Sequence, residues 1–168
     1  MRFLLDADAL IKLNRIGVLA VLAAEYDCAA PSNVYQEVVT DAKARGYADA
    51  DELAQLLGGV IEVVSGTADG GVFGLGDGES AILTLLAEWP DALPVSDDRK
   101  FQGVLVSQSI AFLSTSDVVS NLGQHGVLTL GDAIQALGAL RPLINEMSYQ
   151  RALQDLMEVN ERDNSKQK

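Results

Sequence analysis

Short apolar runs, each stopped by an acid or a turn residue, alternate along this chain with stretches of helical periodicity. That alternation constrains the fold more than any other feature. Phe3–Leu5, Asp27–Ala30, Val60–Val64 and Leu93–Ser96 are brief and largely apolar, as strands buried on both faces are. Ile110–Leu113 reads as one more strand-like run. Between them, Ala9–Leu13, Ile16–Ala24, Asp49–Leu57, Glu79–Trp89, Arg99–Val106, Ser116–Leu122 and Asp132–Leu140 read as helices. Ser32 is a good N-cap, and Val34, Val38 and Ala42 recur behind it at helical spacing. Strands joined by helices predict a parallel sheet with helices on both faces.

The 168 residues suit one domain, and 48% apolar content fills a core. Leu143–Val159 reads as an amphipathic helix and Glu161–Lys168 as a frayed polar end. Twelve Lys and Arg face 24 Asp and Glu, for a net charge of −12. A non-specific nucleic-acid coat protein is thereby excluded, because phosphate neutralisation needs clustered cations. A nuclease is not, since metal ions can supply the positive charge. Cys28 is the only cysteine and His125 the only histidine, so an internal disulfide, a cysteine-cluster zinc site and a His₃ site are all excluded within one chain. Cys28, in the run DCAAP, reads as a small packed hydrophobe. Asp6 and Asp8 follow Met1–Leu5 at once, unlike a signal peptide, and no apolar run approaches the roughly 20 residues of a membrane span. The expectation is a soluble cytoplasmic protein.

In parallel α/β sheets, ligands sit beyond the carboxyl ends of the strands. Acids recur there: Asp6 follows the first strand, and Asp97 and Asp98 follow Leu93–Ser96. Carboxylates that converge at one sheet edge repel unless a cation intervenes or their pKa values rise. Glu79 precedes Ile82 and Leu83 by three and four residues, which puts it on the apolar face of its helix. Glu37, three residues after Val34, borders the buried stripe of its own helix; the alternative is a surface acid. Oxygen donors without nearby His or Cys suit a hard cation such as Mg²⁺ or Mn²⁺. Asp8 reads as a helix N-cap before a metal ligand, and Asp77 as a loop or cap residue. Of Asp97 and Asp98, one can cap the following helix while the other binds metal. GLGDGES lacks the Lys-Ser/Thr ending of a P-loop, so its glycines read as a tight turn into the Glu79 helix.

Four segments, in order, resemble the PIN-domain family, in the group of VapC-type toxin ribonucleases: FLLDADALIKL with Asp6, PSNVYQEVV with Glu37, GLGDGESAILTLLAE with Glu79, and LPVSDDRKF with Asp98, or Asp97 as alternate. The resemblance covers residues 1–142 as a PIN-like nuclease domain, leaving 143–168 as a helix and polar tail. It implies a three-layer α/β/α sandwich with a central, mostly parallel sheet. It also implies a divalent-metal-dependent endoribonuclease, often a dimer with a protein antitoxin as inhibitor. Asp8 stands where the family more often has Ser, Thr or Asn, and Ser116 is the residue to fill a late hydroxyl role.

On this reading, Mg²⁺ or Mn²⁺ at Asp6, Glu79 and Asp98 (with Asp97 as alternate, and Asp8 as a further candidate) activates water and stabilises charge on an RNA phosphate. Asp98 orients or deprotonates the water. Lys12, Arg99 and Lys100 are candidate phosphate contacts, or else ordinary solvated cations. Two rivals stand beside it. Asp6-Ala7-Asp8 also resembles the nucleophile motif of haloacid-dehalogenase-like phosphatases, with Asp97 and Asp98 as late acids. A catalytically degenerate PIN-like binding module is the other.

Overall fold

The computed structural model describes residues 1–65 and 74–166, and the surroundings of side chains as far as Glu158. Four strands, β1 (Arg2–Leu5), β2 (Asp27–Pro31), β3 (Ile61–Val64) and β4 (Leu93–Val95), form one sheet in the order β3-β2-β1-β4. Every pairing is parallel: Phe3 faces Cys28 on one side and Leu93 on the other. Parallel neighbours need long crossovers, and helices supply them. Helices α1 (Ala7–Arg15) and α2 (Leu19–Glu25) join β1 to β2. Then α3 (Ser32–Tyr35) runs without a break into a π-helical segment, Gln36–Asp41, and into α4 (Ala42–Ala44), before α5 (Asp49–Leu56) leads to β3. Helix α6 (Asp77–Glu88) precedes β4. Helices α7 (Arg99–Ser107), α8 (Thr115–Gln124), α9 (Leu130–Leu140) and α10 (Glu146–Lys166) follow, with a 3₁₀ turn at Arg141–Leu143.

The period of two along each strand divides the core. Phe3 and Leu5 of β1, with Cys28 and Ala30 of β2, pack into a cluster with α1, α2, α8 and α9. Leu4 and Ala29 point the other way, onto Ile82 and Leu85 of α6 and Phe101 and Leu105 of α7. Helices therefore cover both faces, and the molecule is a three-layer α/β/α sandwich. Both faces of β1, β2 and β4 are buried along most of their length, which explains why they read as apolar runs, whereas the edge strand β3 exposes Glu62.

The strand-like reading of Ile110–Leu113 shrinks to one bridge, Leu113 beside Val95. The Leu113 N–H donates to the Pro94 carbonyl, and Ser96 N–H donates to the Leu113 carbonyl, both at 3.0 Å. Ser109 takes a left-handed φ of 58° and Ser114 caps α8, so the extended stretch is confined between a turn and a helix start. The glycine-rich stretch from Gly66 is described only from Gly74 onward, where φ is +89°. No described helix is long and apolar enough to cross a membrane.

Helix α10 lies on α8 and α9 and buries Ala152 and Leu156 in the same cluster as Phe3 and Leu5. Gly123 of α8 makes that approach feasible: a Cβ there would stand 2.5 Å from Leu156 Cδ2 and 2.8 Å from Ala133 Cβ. Gly123→Ala is therefore expected to overpack the junction and destabilise the fold by about 1–3 kcal/mol, read as a lower denaturation midpoint. Gly138→Ala, on α9 with open space around it, is the control and should leave the midpoint level or raise it.

Candidate active site

Strand order reverses at β1, which pairs with β2 on one side and with β4 on the other. Such a switch point opens a crevice beyond the carboxyl ends of the strands. The register Leu5 beside Val95 sets the ends of β1 and β4 level, so Asp6 and Asp97–Asp98 emerge together.

Asp6 is the N-cap of α1: its Oδ1 accepts from the Ala9 N–H at 2.7 Å. The reading of Asp8 as that cap is corrected here. Asp6 is still extended, at ψ 173°, and the chain is already helical at Ala7. Asp8 instead lies inside the first turn, exposed and ion-paired with Lys12 one turn on. Asp6 itself is only 6% exposed. Burial pushes its carboxyl up to about 7, helped by the Asp8 and Asp97 charges and opposed by hydrogen bonds from Ser96 and Ala9.

Ser96 stands at the end of the neighbouring strand, beside both acids. It is fully buried, its hydroxyl accepts from the Asp98 N–H at 3.1 Å, and its nearness opposes the rise in the Asp6 pKa. Asp98 caps α7 as Asp6 caps α1, with Oδ1 accepting from the Phe101 N–H at 2.8 Å. Its Oδ2 takes no hydrogen bond from the described residues. Asp97 is engaged differently: it accepts from Thr115 N (2.9 Å), Thr115 Oγ1 (2.6 Å) and Lys12 Nζ (2.9 Å). It fastens α1 and α8 to the end of β4.

Glu79 sits in the first turn of α6, where Oε2 accepts from the Gly76 N–H at 2.7 Å. Gly78 beside it lets α6 close on α3, for a Cβ there would stand 3.0 Å from Val34 Cγ2. Glu37 is exposed on the π-helical segment, whose wider turn buries the consecutive Val38 and Val39.

Asp6, Glu37, Glu79 and Asp98 all line one cleft of about 1150 Å³. Asp8, Asp41, Asp77 and Asp97 also line it, and Arg45 and Arg99 are the cations among the described lining. Lys12 is not in that lining; its ammonium lies between Asp8 and Asp97. Lys100, next along α7, is exposed outside the lining. Ser116 is buried with its hydroxyl 3.0 Å from that of Ser114, while Thr115 is the residue whose hydroxyl reaches the acids. Sequence reasoning did not single out Ser96, Thr115 or Arg45 for these positions. Cys28 is buried in β2 with its thiol pushed up to about 12 by desolvation and by Asp27, which leaves no thiolate for chemistry.

The donor set is all oxygen, which suits a hard divalent cation. Among the described residues, no three acids stand close enough to hold an ion by themselves. A family model described as DUF3368: PIN domain matches residues 2–158. No curated protein and no solved structure matches the chain.

The raised pKa of Asp6 sets a pH dependence. The unfolded carboxyl titrates near 3.8 and the folded one near 7. Between those values the folded chain holds a proton that the unfolded chain has released. The stability from this group is complete below pH 4 and is lost as pH rises through 7, by roughly 4 kcal/mol. Asparagine keeps the cap without the charge. Asp6→Asn is thus expected to melt above the parent at pH 8 and level with it at pH 4, and an unchanged gap at both pH values would contradict the assignment.

Proposed function

The chain belongs to the PIN-domain family, a nuclease-type fold, and we propose that its acidic cleft is the active site of a divalent-metal-dependent endoribonuclease. One observation carries the reading: four acids from separate stretches of chain, Asp6, Glu37, Glu79 and Asp98, line a single cleft at the switch point of a parallel sheet. Mg²⁺ and Mn²⁺ fit this donor set. Mg²⁺ is commonly held by one or two carboxylates, with waters and substrate phosphates completing its shell, so it does not require three preassembled acids. Asp6, Glu79 and Asp98 are the proposed ligands. When bound, the ion supplies an activated water and stabilises charge at the scissile phosphate.

The chain's own residues do the rest. The Ala9 N–H holds the Asp6 carboxyl at the strand end, and with a cation bound there the charged form of Asp6 would be favoured. Asp98 accepts the proton of the attacking water through the oxygen not used for capping. Glu37, from the π-helical segment, completes the carboxylate set. The products carry a 5′-phosphate and a 3′-hydroxyl. From the resemblance to VapC-type toxins we further propose that the chain is the toxin of a toxin–antitoxin pair, with a protein antitoxin and a second copy of itself as partners. The phosphatase alternative loses its ground, since the family is a different one and Asp8, its second acid, is ion-paired with Lys12.

Purified protein incubated with a mixed pool of structured RNAs is the test, run with Mn²⁺, with Mg²⁺ and with EDTA. Cleavage is expected with either metal, and Asp6→Asn and Glu79→Gln should each lower it roughly 100-fold or more. Cleavage that persists in EDTA would overturn the metal site. Mn²⁺ that raises the melting temperature of a chain cutting no RNA would favour the binding module.

A further inference from the structure

Acids outnumber cations two to one in this chain, so a surface cation readily finds a carboxylate. Among the described side chains, Arg2, Lys12, Arg15, Lys43, Arg141 and Arg151 all do. Arg45, Arg99 and Lys100 have no carboxylate partner among the described residues. Arg45 and Arg99 both line the acidic cleft, and Lys100 adjoins Arg99. Among the described side chains, the cations left without a carboxylate partner are thus at or beside the acidic cleft.

Their placement is two-sided. Arg45 directly follows α4, at the end of the helical run whose Val34, Val38 and Val39 pack on one face of the sheet. Arg99 opens α7, whose Phe101 and Leu105 pack on the opposite face. The two guanidinium side chains therefore reach the cleft from different layers of the sandwich. A guanidinium is suited to phosphate oxygens because its fork of donors matches them and its charge is permanent. The cleft of about 1150 Å³ also exceeds the roughly 300–1000 Å³ of a small-molecule pocket.

Resting on the nuclease reading above, we infer that Arg45 and Arg99 are a phosphate-positioning pair that grips the backbone on either side of the carboxylates. The ligand class that follows is a polynucleotide segment spanning more than one phosphate, not a mononucleotide. Both residues are positioning residues: they act on flanking phosphates and leave the reacting atoms to the acids.

The test is the affinity of the full chain for a short fluorescein-labelled single-stranded RNA, measured by anisotropy with Ca²⁺ over a salt series. Arg45→Gln and Arg99→Gln should each weaken binding alike for different sequences and lower the salt slope by about 0.7 for the lost single-strand contact. Arg45→Lys and Arg99→Lys should retain the slope. Arg141→Gln, which removes a cation paired with Glu146, should bind as the parent does. Unchanged melting temperatures separate these effects from misfolding. Parent-like binding and slope in both glutamine variants, with the parent still cutting RNA, would overturn the clamp alone and leave solvated arginines only. A mononucleotide competing as well as the oligonucleotide would overturn the ligand class. A parent that neither binds nor cuts RNA at low salt would overturn the clamp and the nuclease reading together.

Discussion

A carboxyl buried at the end of β1 is the group around which the rest of this molecule is arranged. Asp6 ends a strand, starts a helix and faces a cleft, and its 6% exposure would expel an ordinary carboxylate. What retains it is local: the first turn of α1 donates to one oxygen, and Ser96 at the end of the neighbouring strand opposes the rise in its pKa. Ser96 in turn accepts from Asp98 N–H, and Asp97 is drawn away by Lys12 and Thr115. Adjacent acids at one strand end thus take different tasks, one facing the cleft and one clamping helices. The arrangement is stable because each charge near Asp6 is either exposed or answered, not because the acids tolerate one another.

Topology does the long-range work. Helical crossovers allow β2 and β3 to grow on one side of β1 while β4 is added on the other, and a reversal of this kind leaves a crevice at the strand ends. The same reversal puts α7 on the opposite face from the α3–α4 run. Residues far apart in sequence, such as Glu37 and Asp98, thereby line a common cleft without any long loop to carry them.

Much of this was legible in the residues. Strands buried on both faces must be apolar throughout, so Phe3–Leu5 and Leu93–Ser96 announced themselves and marked the acids that follow. Glu79 stood out because a carboxylate on an apolar helical face needs a reason, and the fold half-buries it in the first turn of α6, on the Gly76 N–H and at the cleft. Other features leave no such mark. A strand end and a helix start one residue apart look alike, so capping was assigned to Asp8 when the backbone turns at Asp6. The π-helical turn at Gln36–Asp41 depends on backbone hydrogen bonds that no side-chain period encodes. Ile110–Leu113 has the apolar content of a strand, but whether such a run pairs is decided by the turn and the cap around it. Arg45 lies in a polar stretch where an exposed cation is unremarkable, and its position at the cleft is a product of folding alone.

The double duty of the two capping aspartates bears on how a fold like this drifts. At most capping positions Ser, Thr, Asn and Asp are interchangeable, so neutral substitution wanders among them. At Asp6 and Asp98 the helix start and the cleft charge share one side chain, and the two demands part company only at the ionisable oxygen. A descendant released from the proposed chemistry would keep the demand for a cap and shed the burden of a buried charge. Asparagine satisfies both conditions, whereas alanine would forfeit the cap. Relaxed selection on this scaffold would leave a recognisable trace: strand ends that still cap their helices, with amides where the acids stood.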